Sequence, residues 1–194
     1  METAGQIVSI IAMSFNILAM QNKTKRGIIA FELCGTALFA TSYFLLESYV
    51  GAMLNLVGVL RSIIFLNETK LNSTHPLWLM FFESLYITSY VLNFTVFGVE
   101  FNTYNLIIGL LPVIGMTVGT LGYRMKNAKG TRRFGIAKTS TWLIYNISVR
   151  SIGAIICEVL STISVVTAII RLDIKHEKPQ GEAAEEEKEA QINS

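Results

Sequence analysis

Apolar residues in this chain fall in long blocks rather than in alternation with polar ones. Seven blocks stand out, at approximately Ala4–Gln21, Gly27–Leu46, Tyr49–Leu66, Leu77–Phe97, Tyr104–Tyr123, Phe134–Ser148 and Ile152–Leu172. A membrane-spanning helix needs about 20 mostly apolar residues. The blocks lack a period of two and are about twice the length of a barrel strand, so they predict helices. The first and sixth are short, and each is expected to borrow a turn from its flank. Residues 1–6 carry no basic stretch, so the first block is expected to stay as a span rather than be cleaved as a leader.

Composition strengthens this picture. Of the 194 residues, 52% are hydrophobic and 15% charged, against about 25% charged in a soluble domain. Eleven of the 30 charged residues lie from Arg171 onward, leaving 19 in the first 170. So little charge cannot cover the surface of a cytosolic enzyme. The net charge of +2 sits in short clusters between apolar runs, which is no nucleic-acid footprint. Cys34 and Cys157 both lie inside apolar runs, where a free thiol behaves as a small hydrophobe.

The connections differ in charge. Asn22–Arg26, Asn67–Pro76, Arg124–Arg133 and the tail hold 13 Lys/Arg, whereas the opposite set holds only Arg150. Basic residues resist translocation during insertion. The expected fold is therefore an all-α integral membrane protein with seven transmembrane helices, N-terminus outside and C-terminus cytoplasmic, in the inner or plasma membrane. Residues 173–194 are acidic and poor in apolar area, and are expected to form a disordered cytoplasmic tail.

A basic loop follows both the first and the fifth block, which suggests a repeat. A shift of 102 places Tyr43 under Tyr145 and Gly51-Ala52 under Gly153-Ala154; a shift of 105 places Met20 and Asn22 under Met125 and Asn127. Chance similarity of apolar sequence is the competing account. Three-span units end opposite their start, so one intervening helix makes two copies parallel. The expected layout is two parallel three-helix bundles (4–66 and 104–172) joined by a linker helix (77–97), a 3+1+3 arrangement in which a site would lie near the midplane.

Ionisable residues in spans are costly and usually face protein or a water-filled cavity. Glu32 and Arg61 each lie about 7.5 Å below the cytoplasmic edge, at 1.5 Å per residue. Their spans must be neighbours, so a structural ion pair, separate snorkelling and a substrate or proton gate are all open. Lys138, one turn into the sixth span, is expected to snorkel to the surface. Trp142 and Glu158 each lie roughly 10–12 Å deep, with Asn146 one turn beyond Trp142 on the same helix face and Asn55 at the corresponding depth in the first half. Together they could bind a polar ligand; equally, Glu158 could be held by interhelical hydrogen bonds. Glu83, Asn16 and Asn93 are read as helix–helix glue. Pro112 is a candidate hinge, and Gly115 and Gly119 form a small-xxx-small face.

Leu60–Ile64 (LRSII), Leu110–Thr120 (LLPVIGMTVGT), Trp142–Asn146 (WLIYN), Ser151–Glu158 (SIGAIICE) and Ile169-Ile170-Arg171 resemble the YgjV-type bacterial inner-membrane protein family. The resemblance spans most of residues 5–172 and implies a location and a fold rather than an activity. The 3+1+3 layout is also similar to SWEET sugar transporters and PnuC-type vitamin transporters. The SWEET likeness implies Trp142 as a site tryptophan, with Glu158 or Cys157 near its asparagine partner and Asn55 in that place in the first half. Ala40 replaces the first-half tryptophan, no Pro-Gln pair is present and the first span has no proline, which counts against sugar.

Three function classes follow. A small-molecule transporter working by alternating access leads, on the parallel halves, the buried polar groups and the mid-span proline. A non-transporting scaffold or partner-binding membrane protein is the alternative. A seven-helix receptor or retinal protein fits the topology but has very short loops and no lysine in its seventh span. The sequence shows no catalytic grouping, phosphate loop, metal-ligand spacing or cofactor motif, so no enzyme is expected. Lipid is the certain partner, and the substrate and any homo-oligomer are left open.

Overall fold

In a computed structural model the described residues are 2–46, 49–148, 150 and 152–174, the backbone alone being described at a few of them. Within them the chain is all helical: α1 (Glu2–Met20), α2 (Lys25–Leu45), α3 (Tyr49–Leu66), the short α4 (Glu68–Leu71), α5 (Pro76–Thr95), α6 (Thr103–Arg124), α7 (Ala128–Ser148) and α8 (Ile152–Ala168), the last running on as a π-helical turn, Ile169–Ile174. Local signals set the starts. Thr24 accepts a hydrogen bond from Gly27 N and caps α2, Pro76 occupies the first turn of α5, and Asn102 accepts one from Asn105 N at α6. The α5–α6 loop turns at Gly98, whose φ of +68° is the left-handed region that glycine enters without strain.

Four segments are long and apolar enough to cross a membrane: Thr3–Met20, Lys25–Leu45, Thr103–Arg124 and Ala154–Ile174; Gly51–Leu66 is a shorter apolar helix. Helices α5 and α7 fall outside that group; α7 carries four cations, Lys129, Arg132, Arg133 and Lys138, and its first turns are helical rather than loop. It therefore begins six residues before the apolar block that announces it.

The distribution of side chains is that of a protein dissolved in lipid. Ile10, Leu77 and Ile163 are 60%, 66% and 56% exposed, and many other large apolar side chains face outward with them. Glu32, Arg61, Ser62, Thr120, Arg132 and Asn146 are buried. A hydrocarbon solvent rewards this inversion, since lipid tails accept apolar surface and leave polar groups to find partners inside. Outward hydroxyls obey the same rule: Thr41, Thr88 and Thr141 each donate to the carbonyl four residues earlier.

Packing repeats itself. In the first half α2 packs on α1 and α3; in the second α7 packs on α6 and α8. The halves meet through α1 with α8, α2 with α7 and α3 with α6, a pattern unchanged when the halves are exchanged. Helix α5 packs on α3 and α6. Hydrogen bonds show which ends meet. Gln21 Nε2 donates to Ser164 O at 2.8 Å and Ser164 Oγ donates to Ile17 O at 2.7 Å, so α1 and α8 finish together. Arg61 Nη1 donates to Met116 O at 3.2 Å, and Arg124 Nη1 donates to His75 O at 3.3 Å. The loops at 21–24, 67–75 and 125–127 and the turn at 169–174 thus share one end of the bundle, the basic end.

Among the described residues, Lys25 and Arg132 each tie that end through an ion pair. Lys25 Nζ lies 2.7 Å from Glu68 Oε2, just past α3. Arg132 pairs with Asp173, just past α8, and also donates to Met20 O at 3.0 Å through Nε and to Asn22 O through Nη2. Glu68 and Asp173 are 105 residues apart, the shift that aligns Met20 with Met125. Asp173, the first residue of the expected tail, is buried at the end of a helix. Its carboxylate is drawn inside by Arg132, a partner 41 residues away that no local pattern reveals. The remainder of the expected tail, 175–194, lies outside the described residues.

Candidate functional site

The densest set of buried polar groups lies between the halves, toward the basic end. Lys138 Nζ of α7 donates to Glu32 Oε1 of α2 at 2.8 Å, and the Tyr123 hydroxyl of α6 donates to Glu32 Oε2. The Arg61 guanidinium of α3 lies 4.7 Å from the centre of the Tyr123 ring, a cation–π contact that desolvation strengthens. Its Nη1 donates to Met116 O at 3.2 Å, Thr120 Oγ1 at 3.4 Å and Tyr86 OH at 3.5 Å. Tyr86 OH and Thr120 Oγ1 are 3.0 Å apart, and Ser62 Oγ lies 3.4 Å from Tyr123 OH. Four helices of the two halves, with α5, therefore converge on one carboxylate and two cations.

Of the readings open for Glu32 and Arg61, a direct ion pair between them is not found among the described residues. The acid's partner is Lys138, and Tyr123 stands between it and the guanidinium. Nor does Lys138 reach for the surface; its ammonium turns inward, and the side chain is 21% exposed. The physical reason is that a lysine in a span is stabilised more by a buried carboxylate than by a stretched route to the headgroups. Depth placed all three residues at one level. It could not say which faces of which helices meet.

Small residues on α6 make the convergence possible. A Cβ on Gly115 would lie 2.8 Å from Trp142 Nε1, one on Gly119 would lie 3.1 Å from Arg61 Nη1 and 3.4 Å from Lys138 Cδ, and one on Gly122 would lie 2.8 Å from Phe134 Cβ. The small-xxx-small face is thus the track on which α7 and Arg61 approach. Beside it opens a cavity of about 10 Å³, room for about one water. Glu32, Lys138, Gly119, Tyr123, Thr131 and Gly135 are among its lining residues.

Among the described residues no hydrogen bond or ion pair joins the four midplane residues to one another. Trp142 packs against Gly115 and meets Tyr145 edge-on at 5.9 Å. Asn146 is buried one turn further along α7. Asn55 donates through Nδ2 to Gly51 O of its own helix at 2.8 Å. Glu158 is half-buried and lies within electrostatic reach of Lys138 and Glu32, while Tyr43 is within reach of Glu158 and Tyr145. Tyr43 and Tyr145, the pair aligned by the 102-residue shift, therefore approach each other across the α2–α7 contact. Pro112 is buried in α6, which runs unbroken through it from Thr103 to Arg124. Glu83 of α5 accepts a hydrogen bond from Thr117 Oγ1 at 2.7 Å, the interhelical role expected of it.

Sequence reasoning missed Tyr123, Tyr86, Thr120 and Arg132. Tyr123 carried a signal of position only, at the end of its block next to Gly122; Arg132 carried none, lying in a basic connection between blocks. No match to a characterised protein or to a solved structure accompanies this arrangement. Residues 3–176 match the family Imp-YgjV, described as bacterial inner membrane protein. With an apolar exterior, apolar helices of spanning length and a match over nearly all of its described length, the chain belongs to this family of bacterial inner membrane proteins.

Proposed function

We propose that the protein crosses the inner membrane seven times in a 3+1+3 arrangement, N-terminus outside and C-terminus in the cytoplasm, and passes a small polar solute by alternating access. The Glu32–Lys138 pair is the tie that closes the cytoplasmic side. One observation carries this reading: a single buried ion pair links the middle helices of the two halves beside a water-sized cavity. The middle helices α2 and α7 can part at this pair while Gln21, Ser164 and Arg132 keep the ends of α1 and α8 together, a hinge about which two co-oriented halves could rock. Trp142, Asn146, Glu158 and Asn55 line the solute path on the far side of that tie, and Pro112 lets α6 bend as the halves move.

Two measurements test it. Reporters fused at Ser194 should be active only in the cytoplasm. Purified protein in liposomes should accumulate at least one member of a panel comprising a hexose, a polyol, an amino acid and a nucleoside. Trp142→Ala and Glu158→Gln should slow that uptake at least tenfold, about 1.4 kcal/mol of lost stabilisation. If no solute of the panel crosses faster than through empty liposomes, the transport reading fails and a non-transporting, partner-binding role takes its place.

A further inference from the structure

The ammonium of Lys138 spends one N–H on Glu32; its other two have no partner among the described residues. A second carboxyl group, that of Glu158 on α8, lies within electrostatic reach of it. Glu158 sits on α8 one turn before Thr162, whose hydroxyl donates to Thr139 of α7 at 3.1 Å, and Thr139 adjoins Lys138. Glu158 thus stands about one turn further from the basic end than the Lys138 level, while Glu32 receives the lysine from α2. Its carboxyl group has neither an ion-pair nor a hydrogen-bond partner among the described residues, yet lies within electrostatic reach of both Lys138 and Glu32. The ionisable groups around it are few. Lys138 and Tyr145 come from α7, Glu32 and Tyr43 from α2, and Cys157 from its own helix. Helix α1, which also packs on α8, has no ionisable residue from Thr3 to Met20.

We infer that Glu158 is a proton-binding site, and that Lys138 changes seats between Glu32 and Glu158 as that proton leaves and returns. The inference rests on the transport reading and deepens it by naming the coupling ion. In the closed state Glu158 carries its proton and Lys138 holds Glu32. When the Glu158 O–H bond breaks, the proton passes to water on the side of the α7–α8 turn and a carboxylate remains. Lys138 keeps all its protons and swings its charge to Glu158. Glu32 keeps the Tyr123 hydroxyl, with Arg61 behind that ring. The cluster loses one positive charge, the proton released, and the tie between α2 and α7 opens. Gly119 matters here because the absence of a side chain leaves the lysine stem room to swing.

The test uses the full chain in liposomes, with Cys34→Ser and Cys157→Ala and spin labels on cysteines at Arg26 of α2 and Arg133 of α7, both exposed at the basic end. Label separation is measured by pulsed electron resonance from mildly acidic to alkaline pH. It should grow with pH in the otherwise unaltered chain. Glu158→Gln, nearly the same in shape, should hold the short separation at every pH, and Glu158→Asp should restore the transition. Lys138→Met should make the separation independent of pH. A Glu158→Gln chain that opens like its parent, or a parent that never moves, overturns the inference. Movement without solute uptake removes the transport reading and leaves the switch standing. Uptake without movement does the reverse.

Discussion

The two ties at the basic end occupy corresponding places in the two halves and differ in kind. Lys25–Glu68 joins the start of α2 to the residue pair after α3, with the Glu68 side chain 40% exposed. Arg132–Asp173 joins the start of α7 to the turn after α8, with both side chains nearly inaccessible and two α1-end carbonyls also bound to the guanidinium. The first tie is open to water on its acid side only, the Lys25 side chain being 11% exposed. The second is a buried pair that fastens the two halves together, because Met20 and Asn22 belong to the first half and Asp173 to the second. The same spacing can therefore set an acid in a like place without giving it a like role; burial decides that.

Breaking the ties should expose the difference. Arg132→Met leaves Asp173 buried and alone, and should cost about 3–5 kcal/mol of stability, read as unfolding of the purified protein in mixed micelles. Replacing both members, Arg132→Met with Asp173→Leu, should recover most of that loss, since a buried pair is often matched by apolar residues of similar volume. Next in size comes the track on α6. Gly115→Ala pushes a methyl group into Trp142 and should cost about 1–3 kcal/mol, with a shift in tryptophan emission to mark the site. Ser164→Ala removes the hydroxyl that α1 and α8 share and should cost about 1 kcal/mol. Smallest is Lys25→Met. A pair this exposed is worth ~0–1 kcal/mol, and what it contributes should fade on adding salt, whereas the Arg132 effect should not.

The helices were legible because hydropathy measures the one thing lipid requires of each segment. Block edges fell within two residues of α1, α2, α3, α5 and α6. The sixth block was expected to borrow a turn from its flank, and α7 borrows six residues, because Arg132 is a buried cation and a scale that counts every arginine as surface reads its neighbourhood as loop. Four-residue α4 has too few residues to leave a period. In the candidate site, Glu32, Arg61, Lys138 and Glu158 stood out as ionisable groups in apolar runs. Their pairing did not. Glu32 and Lys138 are separated by 106 positions, and which faces meet depends on helix rotation, which no single-chain pattern specifies. The glycines of α6 were the one long-range clue, since bare backbone on a spanning helix marks where another helix will come close.

That stripe on α6 makes a practical marker for sorting relatives. Gly115, Gly119 and Gly122 each admit a different visitor: an indole, a pair of cations and a phenyl ring. In a homologue where one of these positions carries a larger side chain, its guest should have shrunk in step. Co-variation of 119 with 61 and 138 would then flag, from genome sequence alone, the family members that have kept the charged crossing and those that have abandoned it.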